Sequence, residues 1–75
     1  MTLEDLIRDI LGAYPPELSD DSGQAELQNW DSLSHMNIVM AIEETYNVSF
    51  STEEITALKS LADARRLLSL KGVAV

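Results

Sequence analysis

The sequence predicts a small all-α fold: a four-helix bundle of three longer helices and one short helix, with a long first loop. Three observations support this prediction. Apolar residues recur at helical spacing in separate segments, capping residues stand before those segments, and no segment alternates apolar and polar residues well enough for a sheet. The chain has 75 residues and no cysteine. We therefore expect a single domain, residues 1–75, that is held together by helix packing alone.

Five apolar residues at helical spacing predict the first helix: Leu3, Leu6, Ile7, Ile10 and Leu11. We expect this helix to begin after Thr2, which can serve as its cap, and to end near Gly12. Pro15 and Pro16 then prevent a further helix. The polar composition of residues 13–31 predicts a long ordered loop, which is uncommon in a compact domain unless it has a function or is fixed by its own side chains.

The second helix opens at Asp31 and Ser32 and runs to about Tyr46, where Asn47 is a plausible stop. Its apolar residues form two stripes. We expect the first stripe, with Ile38, Val39, Ile42 and Tyr46, to face the core. The second stripe consists of Leu33, Met36 and Met40. A helix packed on two sides would bury both stripes, whereas an exposed second stripe would offer a flexible Leu/Met surface to other proteins.

Two shorter helices follow. The segment Thr52-Glu53-Glu54-Ile55 is typical of a short capped helix. Ser60 then begins the last helix, with Asp63 in the acidic position of a capping box, and Gly72 ends it.

The charge is strongly acidic: 13 acidic residues stand against 5 basic ones, for a net charge of -8. Between Arg8 and Lys59 there is no lysine or arginine. Such a chain should avoid nucleic acid and anionic membranes, and its expected partners are basic protein surfaces. The first residues lack a long apolar run, so we expect no signal peptide or membrane span. A cytoplasmic monomer is the expected state.

Ser32 allows two interpretations. In one, it is a helix cap, because Asp and Ser are common at that position. In the other, its hydroxyl anchors a phosphodiester, because a helix N-terminus presents unsatisfied N–H groups and the positive end of the helix dipole.

At these residues the chain resembles the acyl carrier protein family. The resemblance rests on Trp30-Asp31-Ser32-Leu33, on the helix that follows as far as Glu43-Glu44, and on the order of all four helices. In that family the motif serine carries 4′-phosphopantetheine, whose thiol holds acyl groups as thioesters. The resemblance implies that Ser32 is the attachment point and that Asp31 and Leu33 flank it.

The resemblance also implies a docking face and a set of partners. Leu33, Met36 and Met40 match the family's apolar docking positions, and Glu43 and Glu44 match acidic ones. The implied partners are a phosphopantetheinyl transferase and enzymes that load and process acyl groups through basic docking surfaces.

Carriers of bacterial fatty acid synthesis usually have acids where this chain has Ser34 and Asn37. The chain is thus more similar to a discrete carrier of a polyketide, nonribosomal or other specialised pathway.

Two other functions remain as alternatives to a carrier that has no catalytic role. A small acidic interaction domain would use Ser32 only as a cap. A calcium module would use Asp20-Asp21-Ser22-Gly23, but an EF-hand register on Gly23 places Leu18 and Asn29 at its first and last ligand positions. We therefore expect no metal site. His35 follows Ser32 by three residues, but the chain is too short for a hydrolase pocket, and we expect it to be a partly buried packing residue.

Overall fold

The computed structural model describes residues 2–75, and all of the regular structure in that range is helical. The four helices are α1 (Leu3–Ile10), α2 (Ser32–Tyr46), α3 (Thr52–Ala57) and α4 (Leu61–Leu70). The predicted all-α fold with a long first loop is confirmed.

The first helix is shorter than the sequence predicts. It ends at Ile10, two residues before Gly12, and Leu11 is its C-terminal cap. The reason lies in the backbone, since Gly12 and Ala13 both have positive φ angles, of 80° and 65°. Two successive left-handed residues turn the chain out of the helix. Leu11 nevertheless stays buried, so its apolar side chain serves the core from outside the helix.

The caps follow the sequence at three helices and depart from it at the fourth. Reciprocal capping boxes begin α1, from Thr2 and its partner at the third helical position, and α3, from Ser51 and its equivalent partner. At α4 the predicted box is only half formed. Ser60 Oγ accepts from the Asp63 N–H at 3.3 Å, but Asp63 Oδ2 accepts from the N–H of Lys59 instead of that of Ser60.

The long first loop completes the cap of α4. The carbonyl oxygens of Asp20 and Ser22 accept hydrogen bonds from the first two N–H groups of that helix, at 3.0 and 2.8 Å. At the other end of the loop, the Asn29 side-chain amide donates to the carbonyl oxygens of Leu11 and Tyr14, at 3.0 and 2.8 Å. The loop is therefore fixed by its bonds to α4 and by bonds that join its two ends, as its length requires.

The core is a single cluster of buried apolar side chains drawn from α1, α2, α4 and the connections between helices. From α2 it includes Ile38, Val39 and Ile42, as predicted, whereas Tyr46 is only half-buried and packs at its edge. The largest fully buried side chain is that of Trp30, which leads directly into α2. Burial of this indole fixes the end of the long loop against the core.

Helix α3 has no fully buried residue of its own. The buried side chains of Phe50 and Leu58 hold it at its two ends. An ion pair of 3.0 Å joins Glu54 to Lys71 beyond the end of α4. Since few apolar contacts hold α3, polar bonds to the neighbouring helices have a large share in placing it.

We predict that Gly23→Ala destabilises the fold. Gly23 is buried, and a Cβ atom there would overlap the backbone carbonyl group of Lys59. The backbone must move apart, at an expected cost of roughly 1–3 kcal/mol. Urea denaturation measures this loss. The exposed neighbour supplies the control, because Gln24→Ala should change the free energy of unfolding by less than about 0.5 kcal/mol. Equal stability of the two variants would contradict the close approach of Gly23 to the Lys59 carbonyl group.

We also predict that the fold loses stability in acid. Backbone N–H groups lower the pKa of Asp5, Asp31 and Glu54 below their ordinary values of 3.8 and 4.5, and hydrogen bonding to Arg66 lowers the pKa of Asp63. A depressed pKa in the folded state stabilises the protein above the ordinary value, and this stabilisation is lost as the pH falls through the folded value.

The melting temperature should therefore fall between pH 5 and pH 3. A melting temperature that rises over this range would show that relief of the repulsion among acidic groups outweighs the loss of these bonds.

Candidate functional site

Ser32 is the first residue of α2, and its side chain is exposed. The residue before it provides the cap: Asp31 Oδ1 accepts the Ser34 N–H at 2.9 Å. This bond lowers the pKa of Asp31 and favours its charged, accepting form. The Ser32 hydroxyl makes no hydrogen bond to any residue between 2 and 75. The interpretation of Ser32 as the helix cap is therefore wrong, and its Oγ atom is available for chemistry.

The surroundings of Ser32 suit an attached phosphate. The hydroxyl lies at the N-terminus of a 15-residue helix, where the positive end of the dipole favours negative charge. No acidic side chain lies within the first turn of α2 itself. Exposed hydroxyl and helix N-terminus together fit a phosphodiester at Oγ.

Ser32 lies inside a segment that is closed by hydrogen bonds on both sides of it. The indole Nε1–H of Trp30 donates to His35 Nδ1 at 3.0 Å, and the His35 N–H donates to the Asp31 carbonyl oxygen at 2.8 Å. Both bonds span Ser32. Trp30 and His35 are buried, with 1% and 7% of their surfaces exposed, while the serine between them faces solvent.

The hydrogen bonds of His35 determine which nitrogen of its ring carries the proton. An indole N–H can only donate, so Nδ1 must accept. Nε2 then carries the proton and donates to the carbonyl oxygen of Ile55 in α3, at 3.1 Å. Since both nitrogens are engaged, neither is available to Ser32 as a base, which argues against a Ser/His catalytic pair.

The sequence analysis did not predict the hydrogen bonds by which His35 connects different parts of the fold. His35 was expected to be a partly buried packing residue, but it is buried and bridges three parts of the fold. The signal in the sequence was the pair of Trp30 and His35, placed on either side of Asp31-Ser32.

The second stripe of α2 lies outside the core. Leu33, Met36 and Met40 are 73%, 43% and 59% exposed, so of the two alternatives for this stripe the structure has the exposed one. The two glutamates at the end of the helix differ from each other. Glu44 is exposed, whereas Glu43 is half-buried and its Oε2 accepts the Phe50 N–H at 2.8 Å. The carboxylate of Glu43 therefore fixes the connection between α2 and α3.

Between residues 2 and 75, no helix is long and apolar enough to cross a bilayer. Nor does this part of the chain bring together three or more histidine, cysteine or acidic side chains as a metal ion would require.

Comparisons with known proteins agree with this geometry. The family model described as a phosphopantetheine attachment site matches residues 2–68. An acyl carrier protein of Thermosynechococcus vestitus is 30% identical over 69 residues, which cover 92% of this chain and 85% of that protein. An acyl carrier protein of Rickettsia bellii is 41% identical over 58 residues, which cover 77% of this chain and 67% of that protein.

The comparison of folds indicates the same family. The solution NMR structure of a holo acyl carrier protein from Geobacter metallireducens matches with a TM-score of 0.82 at 29% identity, covering 92% of this chain and 79% of that one. The chain therefore belongs to the acyl carrier protein family, whose members hold a covalent 4′-phosphopantetheine and are carriers without catalytic activity.

Proposed function

We propose that Ser32 is the residue of this acyl carrier protein that receives 4′-phosphopantetheine. The observation that carries the proposal is an exposed serine hydroxyl, not used for capping, at the N-terminus of a long helix. Asp31 supports this role by supplying the cap. Leu33, next to the serine and 73% exposed, offers an apolar contact beside the attachment point.

Attachment requires a transferase and coenzyme A. Ser32 Oγ attacks the phosphorus that bears the pantetheine, a new O–P bond forms and the pyrophosphate bond of coenzyme A breaks. Adenosine 3′,5′-bisphosphate leaves, and the hydroxyl proton passes to a base of the transferase. The positive end of α2 favours the anionic phosphodiester that results.

The arm then supplies the thiol that this chain lacks, since it contains no cysteine. Partner enzymes load an acyl group on that thiol as a thioester and process it there. The protein itself presents and transports the group.

For partner enzymes we propose a docking face on α2 formed by Leu33, Met36 and Met40, with Glu44 beside it. These apolar side chains are exposed, and methionine adapts to differently shaped surfaces. A net charge of -8 favours partners with basic surfaces, because opposite charges accelerate encounter. Glu43 has a smaller part in this face, because its carboxylate already accepts the Phe50 N–H.

The pathway we propose is a specialised one, such as polyketide or nonribosomal peptide synthesis. Its support is the uncharged character of α2 at Ser34 and Asn37, where fatty acid carriers commonly have acids. We further propose that the protein acts as a monomer in the cytoplasm, where a chain without cysteine is compatible with reducing conditions.

Ser32→Ala should abolish attachment without unfolding the protein. The hydroxyl is exposed and unbonded, so the change in unfolding free energy should stay within about 0.5 kcal/mol. Asp31→Ala should cost more stability, because it removes the cap. Intact mass after incubation with coenzyme A and a transferase measures attachment.

The control is Ser34→Ala, which should load like the unchanged protein. An adduct that persists on the Ser32→Ala variant, or that maps to Ser34, would contradict the assignment.

Met40→Glu should weaken binding to partner enzymes while leaving the fold intact. Its side chain is 59% exposed, so the loss of stability should be within about 0.5 kcal/mol. A charge at a docked apolar contact is nevertheless unfavourable. Ile42→Glu is the matched control, because this fully buried position cannot accept an unpaired charge.

Thermal melts and affinity for the transferase distinguish the two variants. If Met40→Glu melts as low as Ile42→Glu, or binds the transferase as tightly as the unchanged protein, the proposed docking face is wrong.

A further inference from the structure

The segment from Trp30 to His35 is closed on itself around Ser32. Its side-chain bond joins Trp30 Nε1 to His35 Nδ1, and its backbone bond joins the His35 N–H to the Asp31 carbonyl oxygen. The cap from Asp31 to the Ser34 N–H lies between them. Three hydrogen bonds thus cross the serine, and each limits the directions in which its backbone can turn.

The closed segment is also tied to a neighbouring helix. His35 Nε2 reaches the carbonyl oxygen of Ile55 at 3.1 Å, in the one helix that buries no residue completely. The three groups form a chain of donors and acceptors, which we name the Trp30–His35–Ile55 bridge. It connects the end of the long loop, the start of α2 and the middle of α3.

We propose that His35 is a positioning residue for Ser32: through the Trp30–His35–Ile55 bridge it holds the backbone that carries the serine, so that the hydroxyl is presented where phosphopantetheine transfer requires it. This inference rests on the proposed attachment at Ser32 and adds the residue that places it. Ser32 lies two residues after Trp30 and three residues before His35. Both of these side chains are buried, whereas the serine is exposed. Such an arrangement restrains the backbone that carries the exposed hydroxyl.

The chemistry of the bridge favours this role over simple filling of the core. An apolar side chain in this place would fill the space but leave the indole N–H of buried Trp30 without an acceptor, whereas the imidazole provides one and needs a partner for each of its own nitrogens. Both partners are present, and each holds a different part of the fold. Because a hydrogen bond has a preferred direction, the bridge fixes orientation as well as distance.

The test compares two replacements of His35 in the intact chain. His35→Phe keeps a ring of similar size and removes both hydrogen bonds. His35→Gln keeps one acceptor and one donor on its amide group. Phosphopantetheine transfer from coenzyme A by a purified transferase is followed by intact mass, which yields kcat and KM for each carrier at a temperature at which all carriers are folded.

For His35→Phe we expect kcat to fall on the order of tenfold, with KM for the carrier changed less than about twofold, because the docking face is intact and only the reacting group is misplaced. His35→Gln should restore kcat to within about threefold. Ile7→Val, a mild change at a buried site in α1, is the stability control and should load normally.

Trp30→Phe provides an independent check, because it removes the donor from the other end of the bridge, and its kcat should fall as for His35→Phe. Normal kcat in a folded His35→Phe variant overturns the inference, as does a Gln variant that is folded but as slow as the Phe variant. If both Phe variants fail to fold, His35→Gln decides: a reduced kcat together with faster exchange of the Trp30 indole proton supports the inference, and a normal kcat with that faster exchange overturns it. Failure of the unchanged protein to load would instead contradict the attachment at Ser32 itself.

Discussion

One imidazole ring connects three separately formed parts of this protein. His35 accepts from the Trp30 indole at the end of the long loop, donates to the Ile55 carbonyl oxygen in α3, and belongs itself to α2. A buried histidine with two partners permits one tautomer and one ring orientation. The exit of the loop, the beginning of α2 and the position of α3 are therefore set together, and Ser32 lies in the segment between Trp30 and His35.

The two faces of α2 have different roles. Ile38, Val39 and Ile42 hold the helix in the core, while Leu33, Met36 and Met40 remain exposed. At its N-terminus Asp31 provides the cap, which leaves the serine hydroxyl unbonded.

The basic and the acidic side chains also differ in how far they are paired. Four of the five basic side chains form ion pairs with acids within residues 2–75, so most of the positive charge is already paired. The acidic groups that remain give the surface its negative character.

Much of this could be predicted from the sequence, because the relevant signals are local. Apolar spacing and capping residues predicted the four helices, and the first stripe of α2 was correctly assigned to the core, while the exposure of the second stripe was one of two alternatives. What failed depends on contacts between distant segments. Glu43 looks like an exposed acid, but it accepts a backbone N–H from the connection to α3. The first N–H groups of α4 find their partners in the long loop, which no local capping rule includes. The role of His35 depends on Ile55, twenty residues away.

The placement of Ser32 depends most directly on the hydrogen bonds of the His35 ring, and these can be observed by ¹⁵N NMR of the folded protein at neutral pH. The ring nitrogen shifts report which nitrogen carries the proton, and a coupling across the hydrogen bond reports the link between Trp30 Nε1 and His35 Nδ1. We expect the tautomer protonated at Nε2, a measurable coupling, and slow exchange of the indole proton with solvent. A ring protonated at Nδ1, or an indole proton that exchanges as fast as that of an exposed tryptophan, would contradict the Trp30–His35–Ile55 bridge.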